Sequence, residues 1–128
     1  MGAAENDTLR TRVLVVDDEP SIRLLCRVNL ELEGHEVVEA GSLGKARELL
    51  AGAVDLVLLD VHLGRESSAE LVGECHSRQP PVPVVIVTGS ADVLLDRVSD
   101  ADAVLPKPFE IETLLSTVRE LTSARTKG

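Results

Sequence analysis

Four consecutive apolar residues, Leu56 to Leu59, stop at the carboxylate of Asp60, and that abrupt change restricts the folds open to this chain. An unbroken apolar run of this length reads as a strand buried on both faces that delivers Asp60 to its carboxyl end. The pattern recurs along the sequence. Val13 to Val16 end at Asp17 and Asp18, Val84 to Val87 end at Thr88, and a weaker run from Asp102 to Leu105 is followed by Lys107. Glu36 to Ala40 supplies a further short strand.

Helical segments separate these runs. Glu19, Pro20 and Ser21 open the first, Pro20 being suited to a first turn, with an expected apolar stripe of Ile22, Leu25, Val28 or Asn29, and Leu32, stopped by Gly34. The second carries Leu43, Ala46, Leu49 and Leu50. A loop from His62 to Ser68 leads to a third holding Leu71, Val72 and Cys75, broken by Pro80 and Pro81. Gly89 and Ser90 turn into a short fourth with Val93, Leu94, Leu95 and Val98, and the last bears Ile111, Leu114, Leu115, Val118 and Leu121. Five strands alternating with five helices predict one α/β domain, a parallel sheet covered on both faces. A strand order of 2-1-3-4-5 would gather Asp17, Asp18, Asp60, Thr88 and Lys107 at one sheet edge, where open α/β sheets bind ligands. The domain is expected over 12–121, with a loose polar arm at 1–11 and a fraying tail at 122–128.

The 128 residues suffice for one domain. Acids outnumber Lys and Arg by 22 to 13, a net charge of −9. That sign is wrong for an electrostatic grip on nucleic-acid phosphates. Cys26 and Cys75 form no C-x-x-C pair and read as lone core thiols of a reducing compartment. The amino-terminal residues have neither the basic start nor the apolar run of a secretory signal. No apolar stretch reaches membrane-spanning length, so a cytoplasmic protein without membrane insertion is expected.

Three carboxylates brought within roughly 4 to 6 Å repel by a few kcal/mol per pair at an effective dielectric near 20. Such a cluster must protonate or hold a cation. An all-oxygen set favours Mg²⁺, which retains waters and accepts phosphate oxygens. Lys107 adds a positive charge and Thr88 a hydroxyl, both suited to a phosphoryl group. No Gly-rich loop of the P-loop type is present to cradle a nucleotide, so a side chain is the more plausible acceptor, with Asp60 the candidate nucleophile.

At this point the chain resembles the receiver domain of two-component response regulators. The resemblance rests on Val-Leu-Val-Val-Asp-Asp-Glu-Pro at 13–20, Leu-Leu-Asp at 58–60, Val-Thr-Gly at 87–89 and Leu-Pro-Lys-Pro-Phe at 105–109, and covers Arg12 to Leu121. Each piece alone is weak; their order and spacing are specific, with intervals of 42, 28 and 19 residues from Asp18 through Asp60 and Thr88 to Lys107. The resemblance implies a flavodoxin-like (βα)5 fold and a regulatory phosphoacceptor rather than an enzyme. It implies that Asp60 takes a phosphoryl group from a sensor histidine kinase or histidine phosphotransfer protein. Asp18, Asp60 and the His62 backbone carbonyl would hold Mg²⁺, Asp17 would act through a bound water, and Thr88 and Lys107 would contact phosphoryl oxygens. The Lys107–Pro108 bond would be cis, and an output protein would read the change.

Three positions depart from the family pattern. Val104 stands where an aromatic residue is usual, so coupling through an inward-turning ring is not expected. Gly64 and Ser67-Ser68 replace the usual Pro and Asp-Gly after the phosphoacceptor. The 19 residues from Thr88 to Lys107 are fewer than usual, which predicts a short or displaced helix there. These departures motivate an alternative, an interaction module of the same fold that does not switch by phosphorylation. A small aspartyl phosphatase is a third reading, opposed by His62 in place of the second acid of an Asp-x-Asp signature.

Overall fold

Strands apolar on both faces need helices above and below, and parallel pairing through helical crossovers provides them. The computed structural model describes residues 11–63, 65–89 and 100–127. In chain order the elements are β1 (Arg12–Val16), α1 (Pro20–Leu32), β2 (Glu36–Ala40), α2 (Leu43–Leu50), β3 (Leu56–Asp60), a 3-10 turn (Val61–Leu63), α3 (Arg65–His76), β4 (Val84–Thr88), β5 (Ala103–Pro106) and α4 (Ile111–Lys127). The five strands form one parallel sheet in the order β2-β1-β3-β4-β5. This is the doubly wound, flavodoxin-like arrangement expected from the sequence.

Successive strand residues point to opposite faces, and two cores result. Val13, Val15, Leu56, Leu58, Val85, Val87 and Leu105 pack against Cys26 and Leu30 of α1 and Leu114 and Val118 of α4. Leu14, Val16, Val57, Leu59, Val84 and Ile86 pack against Ala46 and Leu50 of α2 and Leu71, Val72 and Cys75 of α3. Each core therefore holds one free, buried cysteine. Burial pushes the Cys26 thiol up to about 12 and the Cys75 thiol up to about 11.

Local chemistry sets the helix ends. Gly34 at φ +97° ends α1, its N–H donating to the Glu31 carbonyl while the His35 N–H reaches back to Leu30. Ser42 caps α2 by accepting from the Lys45 N–H at 3.1 Å.

The structure differs from the sequence expectation at three elements. In α1 the core face is Ile22, Cys26 and Leu30, whereas Leu25, Val28 and Leu32 of the expected stripe are exposed together with Leu24. The helix is turned by about 100°, one residue's step at 3.6 per turn. The cause is tertiary: Arg23 and Arg27 both reach Glu39 of β2, at 2.9 and 3.1 Å, and hold that side of the helix against the strand. Next, α3 begins at Arg65, inside the expected loop, and carries Ser68 fully buried. Lastly, α4 runs past Leu121 to Lys127; Thr122 is buried, its hydroxyl donating to the Val118 carbonyl at 2.7 Å. The short helix expected after Gly89 and Ser90 lies outside the described residues, as does the arm except Thr11, whose carbonyl accepts from the Glu36 N–H at 2.8 Å.

Candidate functional site

The carboxyl ends of β1, β3, β4 and the segment after β5 meet at one edge of the sheet. Asp17 follows Val16 out of β1, its N–H still donating to the Ala40 carbonyl of β2 at 3.0 Å. Its Oδ1 accepts from the Glu19 N–H at 2.9 Å, a turn that tightens the entry to α1. Asp60 closes β3 and is only 2 % exposed, as is Asp17. Asp60 Oδ1 accepts from the His62 N–H at 3.0 Å, made possible by the 3-10 turn that follows the strand. Asp60 lies opposite Val87 in the β3–β4 register, which sets the buried Thr88 one residue further along β4. The Lys107 N–H donates to the Thr88 carbonyl at 2.7 Å and so carries the β4–β5 ladder to the lysine. The Lys107–Pro108 peptide is cis, as expected, and Gln79–Pro80 is cis as well.

One carboxylate oxygen from each of Asp17, Asp18 and Asp60 lies within 4.8 Å of the other two. Lys107 reaches into this cluster: Nζ donates to Asp17 Oδ2 at 3.1 Å and sits 3.6 Å from Asp60 Oδ2. Glu19 Oε1, at 3.4 Å, is a further partner of the ammonium. Burial raises the Asp60 pKa above the usual carboxylate value, and the neighbouring Asp17 charge adds to it, against the opposing His62 N–H and Lys107. For Lys107 burial acts downward, yet its contacts with Asp17, Asp60 and Glu19 prevail and hold the ammonium above its ordinary value. The clustered carboxylates, with Glu19 beside them, outnumber the one ammonium and leave the site negative. The donor set is all oxygen, and an oxygen-lined negative site fits Mg²⁺.

The family model of the response regulator receiver domain matches residues 13–119. The chain belongs to this family. It is therefore a receiver domain of the kind found in response regulators of two-component systems. The receiver is 35 % identical over 115 residues to "Response regulator MprA" of Mycolicibacterium vanbaalenii, covering 86 % of this chain and 49 % of that protein. A similar stretch, also 35 % identical, matches "Sensor kinase CckA" of Brucella abortus, covering 85 % of this chain and 12 % of the kinase. The receiver thus spans about half the length of the regulator, and far less of the kinase. Among solved structures, the response regulator TrrA of Thermotoga maritima in complex with Mg²⁺-BeF superposes with a TM-score of 0.77 at 32 % identity, covering 87 % of the receiver and 98 % of that chain.

Each residue singled out from the sequence stands at this edge. Asp17, Asp60 and Lys107 are in direct contact or linked through the lysine, Asp18 is exposed at the rim, and Thr88 is buried behind. His62 is exposed and enters through its backbone. His76 is half-buried with Nε2 2.8 Å from Asp102 Oδ2, and His35 is half-buried too. Sequence reasoning missed Glu19 as a partner of Lys107. It also missed Arg23, whose Nη1 donates to the Asp17 carbonyl at 2.6 Å. A signal for the second was present: Glu39, a charge inside the short apolar strand β2, needs a cation to meet it.

Proposed function

We propose that this receiver accepts a phosphoryl group on Asp60 from the phosphohistidine of a sensor histidine kinase or a histidine phosphotransfer protein. Mg²⁺ held by Asp18, Asp60 and the His62 carbonyl, with Asp17 acting through water, would supply positive charge to the phosphoryl oxygens. The observation that carries this reading is Asp60 itself: a buried carboxylate at a strand end, with Lys107 beside one oxygen and two further acids within 4.8 Å. The TrrA complex with Mg²⁺-BeF, at 32 % identity, supports the same cofactor.

An Asp60 carboxylate oxygen attacks phosphorus in line with the imidazole nitrogen. The O–P bond forms as the N–P bond breaks, and the electron pair leaves with the imidazole. The His62 N–H holds Oδ1 at 3.0 Å and orients the nucleophile. Lys107 offsets charge on the transferring group, and the Thr88 hydroxyl donates to one of its oxygens. The new charge and acceptor oxygens on Asp60 alter the surface seen by an output protein. Val104, 47 % exposed on β5, gives that surface an aliphatic rather than an aromatic side chain. Among the described residues no helix is long and apolar enough to cross a membrane.

Incubation with a small phosphodonor such as acetyl phosphate, read by intact-mass spectrometry, tests the proposal. A phosphoryl adduct is expected with Mg²⁺, absent in excess EDTA and absent from Asp60→Ala. An adduct that persists in Asp60→Ala, or none on the wild-type protein, would overturn it.

A further inference from the structure

We infer that Arg23 is a positioning residue for the cation-binding turn, acting on the peptide that joins Asp17 to Asp18; this rests on the phosphoacceptor reading above. The Arg23 side chain is largely buried. Its Nη1 donates to the Asp17 carbonyl at 2.6 Å, and its Nε donates to Glu39 Oε1 at 2.9 Å. One planar fork therefore ties the end of β1 to β2. The sequence makes room for it: a Cβ on Gly41 would stand 3.2 Å from Nη1.

The carbonyl so held belongs to the Asp17–Asp18 peptide, and its direction fixes how Asp18 leaves the chain. Asp17 has other anchors, since its carboxylate is bound by the Glu19 N–H and by Lys107. Asp18 is exposed, and no side-chain hydrogen bond or ion pair holds it among the described residues. Its place in the acid cluster accordingly depends on the backbone that Arg23 orients. Groups that fix metal ligands in this indirect way typically account for tenfold or more in metal affinity.

Charge alone argues in the opposite direction, which makes the inference testable by sign. A guanidinium near a cation site repels the cation, so removing it without any positioning effect would tighten Mg²⁺ binding. The measurement is the Mg²⁺ dissociation constant by isothermal titration calorimetry on the folded chain, with thermal melting in EDTA as a control for folding. Arg23→Gln is expected to weaken Mg²⁺ about tenfold or more. Arg27→Gln is the matched control: it removes an equal charge from the same Glu39, one turn along α1, without touching the Asp17 carbonyl. Its affinity is expected to stay within about twofold of wild type.

Unchanged or tighter binding by Arg23→Gln, or equal weakening by Arg27→Gln, would overturn the inference and leave the phosphoacceptor reading intact. A wild-type chain that binds no Mg²⁺ would overturn both. Should Arg23→Gln not fold, Arg23→Lys carries the test. It keeps the charge but lacks the fork, and several-fold weaker binding is expected; wild-type affinity would overturn the inference.

Discussion

Asp60 is enclosed by protein on most sides, close to another carboxylate, and its raised pKa records the strain of keeping it ionised there. The folded state binds this proton more tightly than the unfolded chain does. The stability linked to Asp60 is therefore fully present below the unfolded value near 3.8 and is lost as pH rises through the higher folded value. At neutral pH and without metal the ionised group is a burden. Replacing it by an uncharged isostere, Asp60→Asn, should raise metal-free stability by about 1 kcal/mol, roughly 4 °C in melting temperature for a domain of this size. Lys107 keeps Asp17 and Glu19 as partners in that variant. Melting in EDTA should show the gain at pH 7 and its shrinkage toward pH 4; a gain that is independent of pH would contradict the electrostatic cause.

The first helix shows how far an element can be read from its own residues. Apolar side chains occupy more of the circumference of α1 than one core contact needs, so periodicity admits more than one orientation. Arg23 and Arg27 settle the orientation by pairing with Glu39, and these contacts join residues 12 or more positions apart. That partnership is tertiary and was not legible locally. The runs of β1, β3 and β4 were: each is a continuous apolar stretch with a polar stop, and both marks lie within a few residues. The site acids were legible for the same reason, because they are the stops. Ser68 within α3 and Thr122 in the extension of α4 were not, since both are buried by contacts that periodicity does not contain. The orientation of α1 makes a direct test. Leu30 is fully buried and Leu32 is 81 % exposed; Leu30→Ala should cost about 3 kcal/mol and Leu32→Ala within about 0.5 kcal/mol. Chemical denaturation distinguishes the two, and similar losses would refute the observed rotation.

At the scale of the whole molecule, one sheet is shared by two separate cores, and each encloses one thiol: Cys26 on the inner face of α1, in the core shared with α4, and Cys75 on the inner face of α3, in the core shared with α2. Burial keeps both protonated well above neutral pH, with pKa values of about 12 and 11. A disulfide reagent at pH 8 should find neither in the native state, because the thiolate is the reactive form and both sulfurs are covered. Labelling then waits for the layers to part. In a cooperative domain both sulfurs should react at one common rate, measured by quenched labelling and peptide mass analysis. Two different rates would show one layer opening ahead of the other. The pair of cysteines is thus a pair of clocks, one set into each side of the sheet, and whether they keep the same time reports whether the molecule comes apart as one body or two.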